Sequence, residues 1–148
     1  MAEQQTKMII VKAPIEEVYR AWADFENFPK FMKEIKSVKK TGDRTSHWVM
    51  KGPLGRDLEW DAEITRLDEN RRIAWNSTRG DLETSGQVVF TELPEGETEV
   101  TFTQHYEVPG GAVGEAVAKV IENPDEQLMS ILREFKAYCE GRIRRAAA

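Results

Sequence analysis

Cysteine is almost absent from this sequence. Its 148 residues hold one, Cys139, which cannot close an intrachain disulfide, and no CxxC spacing exists. A disulfide-stapled scaffold and a thiolate zinc site are therefore not expected. Long apolar runs are missing too. Nowhere do roughly 18 apolar residues follow one another, so no stable membrane insertion is expected. The opening stretch, Met1 to Lys7, lacks the apolar centre of a secretory signal, and the expected location is cytoplasmic. Nor is there an excess of positive charge: 21 Lys plus Arg stand against 26 Asp plus Glu, for a net charge of −5. Such a chain is a poor match to phosphate backbones, which disfavours nucleic acid as a partner. The basic run Arg142-Ile-Arg144-Arg145 is short and falls where a helix is expected to end, which fits dipole compensation. Repeats, low-complexity tracts and long Pro/Gly/Ser linkers are lacking as well. One domain over residues 1–148 is predicted.

What the chain does have is aromatic bulk. Four Trp, six Phe and three Tyr are large pieces for filling, or lining, a cavity in a small domain. The pattern along the chain changes twice. Thr6 to Val11 reads as a strand. Ala13-Pro14 then opens a helix with Glu16 and Glu17 at its positive end, and Ile15, Val18, Tyr19 and Trp22 form its buried stripe. Asp24 to Phe31 holds Phe25, Phe28 and Phe31 around Pro29, a short second helical turn.

From Lys33 to Val108 the period becomes two. Strands are predicted at 35–41, 46–51, 56–67, 71–77, 83–92 and 97–108, separated by Gly42-Asp43, Gly52-Pro53, Asp68-Glu-Asn70 and Pro94-Glu95-Gly96 among others. Short turns between successive strands imply an antiparallel meander. Helical spacing returns with Val113, Ala116, Val117, Val120 and Ile121, then Leu128, Ile131, Leu132, Phe135, Tyr138 and Cys139. A helix over about 111–141 is expected, kinked or restarted at Pro124. The predicted fold class is α+β: a curved antiparallel sheet of about seven strands wrapped around a long C-terminal helix, with two short helices after the first strand.

This order of elements resembles the START-like (SRPBCC, helix-grip) superfamily. The similarity is greatest to the bacterial polyketide cyclase/dehydrase branch that also holds coenzyme Q-binding proteins. Ala13-Pro14-Ile15-Glu16-Glu17-Val18-Tyr19 with Trp22 carries it, as does Phe25-Glu26-Asn27-Phe28-Pro29-Lys30-Phe31-Met32. Further stretches are Ile73-Ala74-Trp75-Asn76-Ser77, Gly86-Gln87-Val88-Val89-Phe90, Thr98 to Phe102 with Tyr106, Pro109-Gly110, and Gln127-Leu128, Leu132, Phe135-Lys136 and Glu140. The resemblance implies a cavity between sheet and helix that takes a hydrophobic or amphipathic small molecule. Fold alone does not fix the chemistry.

Alternation places Trp48, Met50, Leu58, Trp60, Ala62, Ile64, Ile73, Trp75, Val88, Phe90, Phe102, Gln104 and Tyr106 on inner faces. Their polar atoms are indole N–H groups, an amide and a phenol, none of which titrates near neutrality unperturbed. The expected ligand contacts are Trp48, Met50, Trp60, Trp75, Phe90, Phe102, Gln104 and Tyr106 from the sheet, with Val117, Ile121 and Leu128 from the helix. The three indole N–H groups, Gln104 and Tyr106 are expected to orient the ligand's polar atoms. No cofactor and no metal is expected: His47 and His105 share no ligand spacing. Asp57, Glu59, Asp61 and Glu63 read as a solvated face. His105 reads as solvent-facing beside Thr103 and Glu107, and a one-residue slip would turn it inward as a candidate base. Tyr106 is the other catalytic candidate, as hydrogen-bond donor to an enolate. Phe25, Phe28, Phe31 and Met32 read as core or as a gate, Gly110-Gly111 as a helix-start turn or a hinge, and Gly52 to Gly55 as a hairpin tip or a lid.

Three functions follow from this reading. The first is binding of a lipid-, isoprenoid- or polyketide-like molecule. The second is a polyketide cyclase or dehydratase. The third is a protein-recruiting adaptor whose cavity is structural.

Overall fold

A computed structural model describes residues 2–52, 55–107 and 124–147. Strand β1 (Ala2–Val11) leads into helix α1 (Ile15–Ala23) and a 3-10 turn (Phe25–Lys30). Six strands follow: β2 (Ile35–Lys40), β3 (Thr45–Met50), β4 (Leu58–Asp68), β5 (Arg72–Gly80), β6 (Glu83–Leu93) and β7 (Glu97–Glu107). Helix α2 (Pro124–Ala147) closes the described chain. The second of the two short helices expected from the sequence is thus a 3-10 turn, with Pro29 inside it. The predicted span 111–123 lies outside the described residues, and α2 continues past Gly141, so Arg142, Arg144 and Arg145 fall within its last turns rather than beyond its end.

The seven strands form one antiparallel sheet in the order β1-β7-β6-β5-β4-β3-β2. Each neighbour along β2–β7 is also the next strand in sequence, as short turns require. Asn70 makes the β4–β5 turn with φ of 60°, a conformation that Asn tolerates better than most residues. Only β1 pairs across a long distance, with β7.

One face of the sheet is packed against α1, the 3-10 turn and α2. From α1 it receives Ile15, Val18, Ala21 and Trp22, and from α2 Leu128, Leu132, Phe135 and Cys139, all buried. The free edge of β1 meets α2, where the Lys136 ammonium donates to the Ile10 carbonyl (3.0 Å) and the Lys12 amide donates to Glu140 Oε2 (2.8 Å). The 3-10 turn packs along β2, and Glu26 accepts from the Lys40 amide. Thr98, fully buried, donates from Oγ1 to the Ala13 carbonyl at 2.8 Å, which satisfies both groups and fixes the β1–α1 junction on β7.

Trp22 is the centre of the core. Its ring lies 4.9 Å from both Phe102 and Phe135, 5.4 Å from Phe28, 6.0 Å from Phe31 and 6.2 Å from Trp75. The edge-on packing against Phe28, Phe102 and Phe135 is the arrangement that aromatic quadrupoles favour. The Phe25, Phe28 and Phe31 rings are at most 2% exposed. Core packing is therefore their main role, although Phe28 also reaches the cavity described next.

Candidate functional site

A cavity of about 90 Å³ remains between the sheet and α2. Its walls are built by period-two alternation. From β3 come Trp48 and Met50, from β4 Trp60, from β5 Trp75, from β6 Thr84, and from β7 Phe102, Gln104 and Tyr106. Leu128 and Ile131 face them from α2; Phe28, Met32 and Ile35 close one side, and Leu82 another. Gln5, Glu34 and Gln127 complete the lining as half-buried polar groups. The Trp48 and Trp60 rings, cross-strand partners, stack nearly parallel at 5.9 Å.

Of the residues expected from sequence, Trp48, Met50, Trp60, Trp75, Phe102, Gln104, Tyr106 and Leu128 are brought together here. Phe90 is not. It lies further along β6, edge-on to Tyr19 of α1 at 5.7 Å, beside an open groove at the opposite end of the sheet. That groove is larger, about 790 Å³, but its walls are charged and solvent-facing (Arg66, Asp68, Glu69, Arg71, Glu92), unlike an apolar ligand chamber. Val117 and Ile121 lie outside the described residues, as do Gly110-Gly111 and, in the proposed hairpin tip, Pro53 and Leu54.

One polar assignment changes, and one polar wall residue was not expected. The Trp48 indole N–H donates to Ser46 Oγ at 2.8 Å, a neighbour on the same strand face, so it is not available to orient a ligand. Thr84, which alternation from Val88 through Gly86 would have found, points its hydroxyl at the His105 carbonyl (3.1 Å). His105 itself is paired with Ser85 and Gln4 on the outer face. It lines a surface hollow with Glu83 and Glu107, away from the cavity, and the register slip that would make it a base does not occur. Glu83 and Glu107 stand opposite each other on β6 and β7, and the hydrogen bond between their carboxyl groups raises the Glu83 pKa.

His47 has more partners than its sequence neighbours indicate. Strand β3 pairs it with Asp61 of β4. Its Nδ1 lies 2.7 Å from Asp61 Oδ1 and its Nε2 2.8 Å from Glu59 Oε1, while Arg79 Nε donates to Asp61 Oδ2 at 2.6 Å. Only the imidazolium can donate to both carboxylates at once. The hydrogen bonds to Asp61 and then Glu59 accordingly raise the His47 pKa, and those from Arg79 and then His47 lower that of Asp61. A raised histidine pKa adds stability below about pH 6.5, and that stability is lost as pH climbs through the folded-state value. The side chain is 38% exposed, so solvent screens the effect. The stability difference between wild type and His47→Gln should shrink as pH rises from about 6 to 9. Thermal melts across that range check this, and a ring titration by NMR at or below about 6.5 would contradict it. Among the described residues, no group of three or more His, Cys, Asp or Glu is arranged to hold a metal.

Residues 11–132 match the family described as polyketide cyclase / dehydrase and lipid transport. The chain belongs to this family. An uncharacterized 17.2 kDa protein of Streptomyces lincolnensis is 31% identical over 134 residues, covering 90% of this chain and 87% of that one. A crystal structure of a Deinococcus radiodurans protein is 28% identical, covers 94% of this chain and 99% of its own, and superposes with a TM-score of 0.74. The Zhui aromatase/cyclase of a Streptomyces species shares the fold at a TM-score of 0.76, with 17% identity and coverage of 99% and 98%. The curled seven-stranded sheet with its C-terminal helix is the START/SRPBCC helix-grip fold. No described helix is long and apolar enough to cross a membrane.

Proposed function

We propose that this family member binds a hydrophobic or amphipathic small molecule, lipid-, isoprenoid- or polyketide-like, in the cavity between sheet and α2. The observation that carries this reading is the composition of the cavity wall. Aromatic and aliphatic groups dominate it, and its strand residues include no carboxylate, lysine or histidine. Burial of a ligand's apolar surface supplies affinity at roughly 25 cal/mol per Å², and a few amide, indole and phenol groups set its orientation. At about 90 Å³ the chamber takes a ring-sized moiety rather than a whole long ligand. Ligand pockets usually span roughly 300–1,000 Å³. A longer molecule therefore extends through the rim at Gln5, Glu34 and Gln127, or displaces side chains as it enters.

The expected result is a discrete bound mass in native mass spectrometry of freshly purified protein, lost on denaturation. Trp60→Ala and Tyr106→Phe should each retain at most about a fifth of it, since each removes a wall contact worth about 1–3 kcal/mol. Equal retention by both variants would rule out this cavity as the site.

The family description favours a second reading, a cyclase or dehydratase. Here Tyr106 would donate a hydrogen bond to the carbonyl oxygen of a folded polyketide-like substrate as it enolises, the α-proton passing to water and the cavity supplying shape. With no histidine on the wall among the described residues, its rate should show no inflection between about pH 5 and 8.

A further inference from the structure

The cavity wall is uneven in charge. Among its described residues no lysine, arginine or histidine occurs, and the single carboxyl group is that of Glu34, at the rim between the 3-10 turn and β2. Its carboxylate makes no ion pair or hydrogen bond among the described residues, whereas other acidic groups of the surface, Asp57, Asp61, Asp68 and Asp125, each hold a cation. Glu34, Gln127 and Ile131 line both this chamber and a second hollow of about 220 Å³, which Lys33, Glu126 and Glu134 also line. A ligand too long for the inner chamber leaves it past the Glu34 carboxylate.

From this we infer that Glu34 is a specificity-determining residue: the site takes neutral or cationic aromatic molecules and rejects those bearing a carboxylate, sulfate or phosphate. The inference rests on the proposed binding function and adds the charge class of its ligand. Among the described residues, an anionic head brought to this rim meets the carboxylates of Glu34 and Glu134 against a single lysine, Lys33, while Glu126 is already held by Arg133. A hydroxyl or carbonyl meets no such penalty, and an ammonium gains from the same charge. At a few ångströms and an effective dielectric near 20, such a charge contact is large enough to set at least a tenfold preference after partial screening by water. The stacked Trp48 and Trp60 rings beside it provide the flat apolar wall that an aromatic body requires.

Three naphthalenes of nearly one size test this: 2-naphthylmethanol, 2-naphthylmethylammonium and 2-naphthoate, titrated calorimetrically at pH 7 and low salt. The alcohol should bind, the ammonium at least as tightly, and the carboxylate at least tenfold more weakly than the alcohol. Glu34→Gln should narrow the gap between alcohol and carboxylate to about threefold or less. Binding of all three with equal affinity, or a gap that survives in Glu34→Gln, overturns the role of Glu34 and leaves the pocket standing. Binding of none overturns the pocket itself, and this inference with it.

Discussion

Trp22→Ala should lower the free energy of unfolding by about 3–5 kcal/mol, the range for truncating a fully enclosed aromatic side chain. Trp22 has no exposed surface and touches rings from the 3-10 turn, β5, β7 and α2. Its loss opens a void where four separately formed pieces of structure meet, and no single neighbour can move to fill it. Trp22→Phe should cost less, about 1–2 kcal/mol. It removes part of the ring, but it also removes the indole N–H, the one fully buried side-chain polar atom without a hydrogen-bond partner among the described residues. That N–H sits among ring faces and edges, where only the weak N–H···π interaction is open to it. Urea denaturation of the two variants gives both numbers. A cost below about 1 kcal/mol for alanine would mean that the core can close without Trp22.

The second large effect is expected at Gly86. This residue pairs with Trp75 across β5 and β6, and the indole lies directly over it. A Cβ at position 86 would stand 2.4 Å from Trp75 Cζ2 and 2.6 Å from Cε2, closer than carbon atoms approach. Gly86→Ala therefore has to turn the indole away, at a cost of about 1–3 kcal/mol for overpacking. Trp75 is a wall of the cavity, and the available space on its other side includes that cavity. Filling about 90 Å³ with a displaced ring leaves no room for a ligand. The variant should thus lose stability and ligand retention together, read by denaturation and by native mass spectrometry. Loss of stability with wild-type retention would show that the ring moves away from the cavity instead.

The sheet was legible because each strand has one wet face. Asp57, Glu59, Asp61 and Glu63 marked the outside of β4, which left Leu58, Trp60 and Ala62 facing in, and all three are buried. The pattern weakens beyond that point. Ile64, on the same face, is only half-buried, where β4 shifts register against β5 between Ile64 and Arg66. A linear pattern carries no sign of such bulges. The same limit hid the partners of His47, which depend on how β3 and β4 align. The cavity rim was missed for a different reason. Glu34 sits in a turn and Gln127 in the first turn of α2, where no period predicts direction, and Gln5 lies in the part of β1 that precedes the Thr6 start read from the sequence. Trp48 could have been read correctly, since Ser46 shares its face two residues away. Phe90 was misplaced because alternation gives the face of a strand but not which end of it lies over a cavity.

The pairing of β1 with β7 sets an order for events during synthesis. Thr6 meets Thr103, 97 residues further on, so the first strand leaves the ribosome long before its partner exists. At roughly 5–20 residues per second that interval is about 5–20 s. Strands β2 to β6 can zip up by local hairpins meanwhile, while Met8, Ile9, Ile10 and Val11 remain without a partner strand. The N-terminal strand is the last to join the sheet, and a nascent chain stalled before β7 is complete would present it to any chaperone within reach.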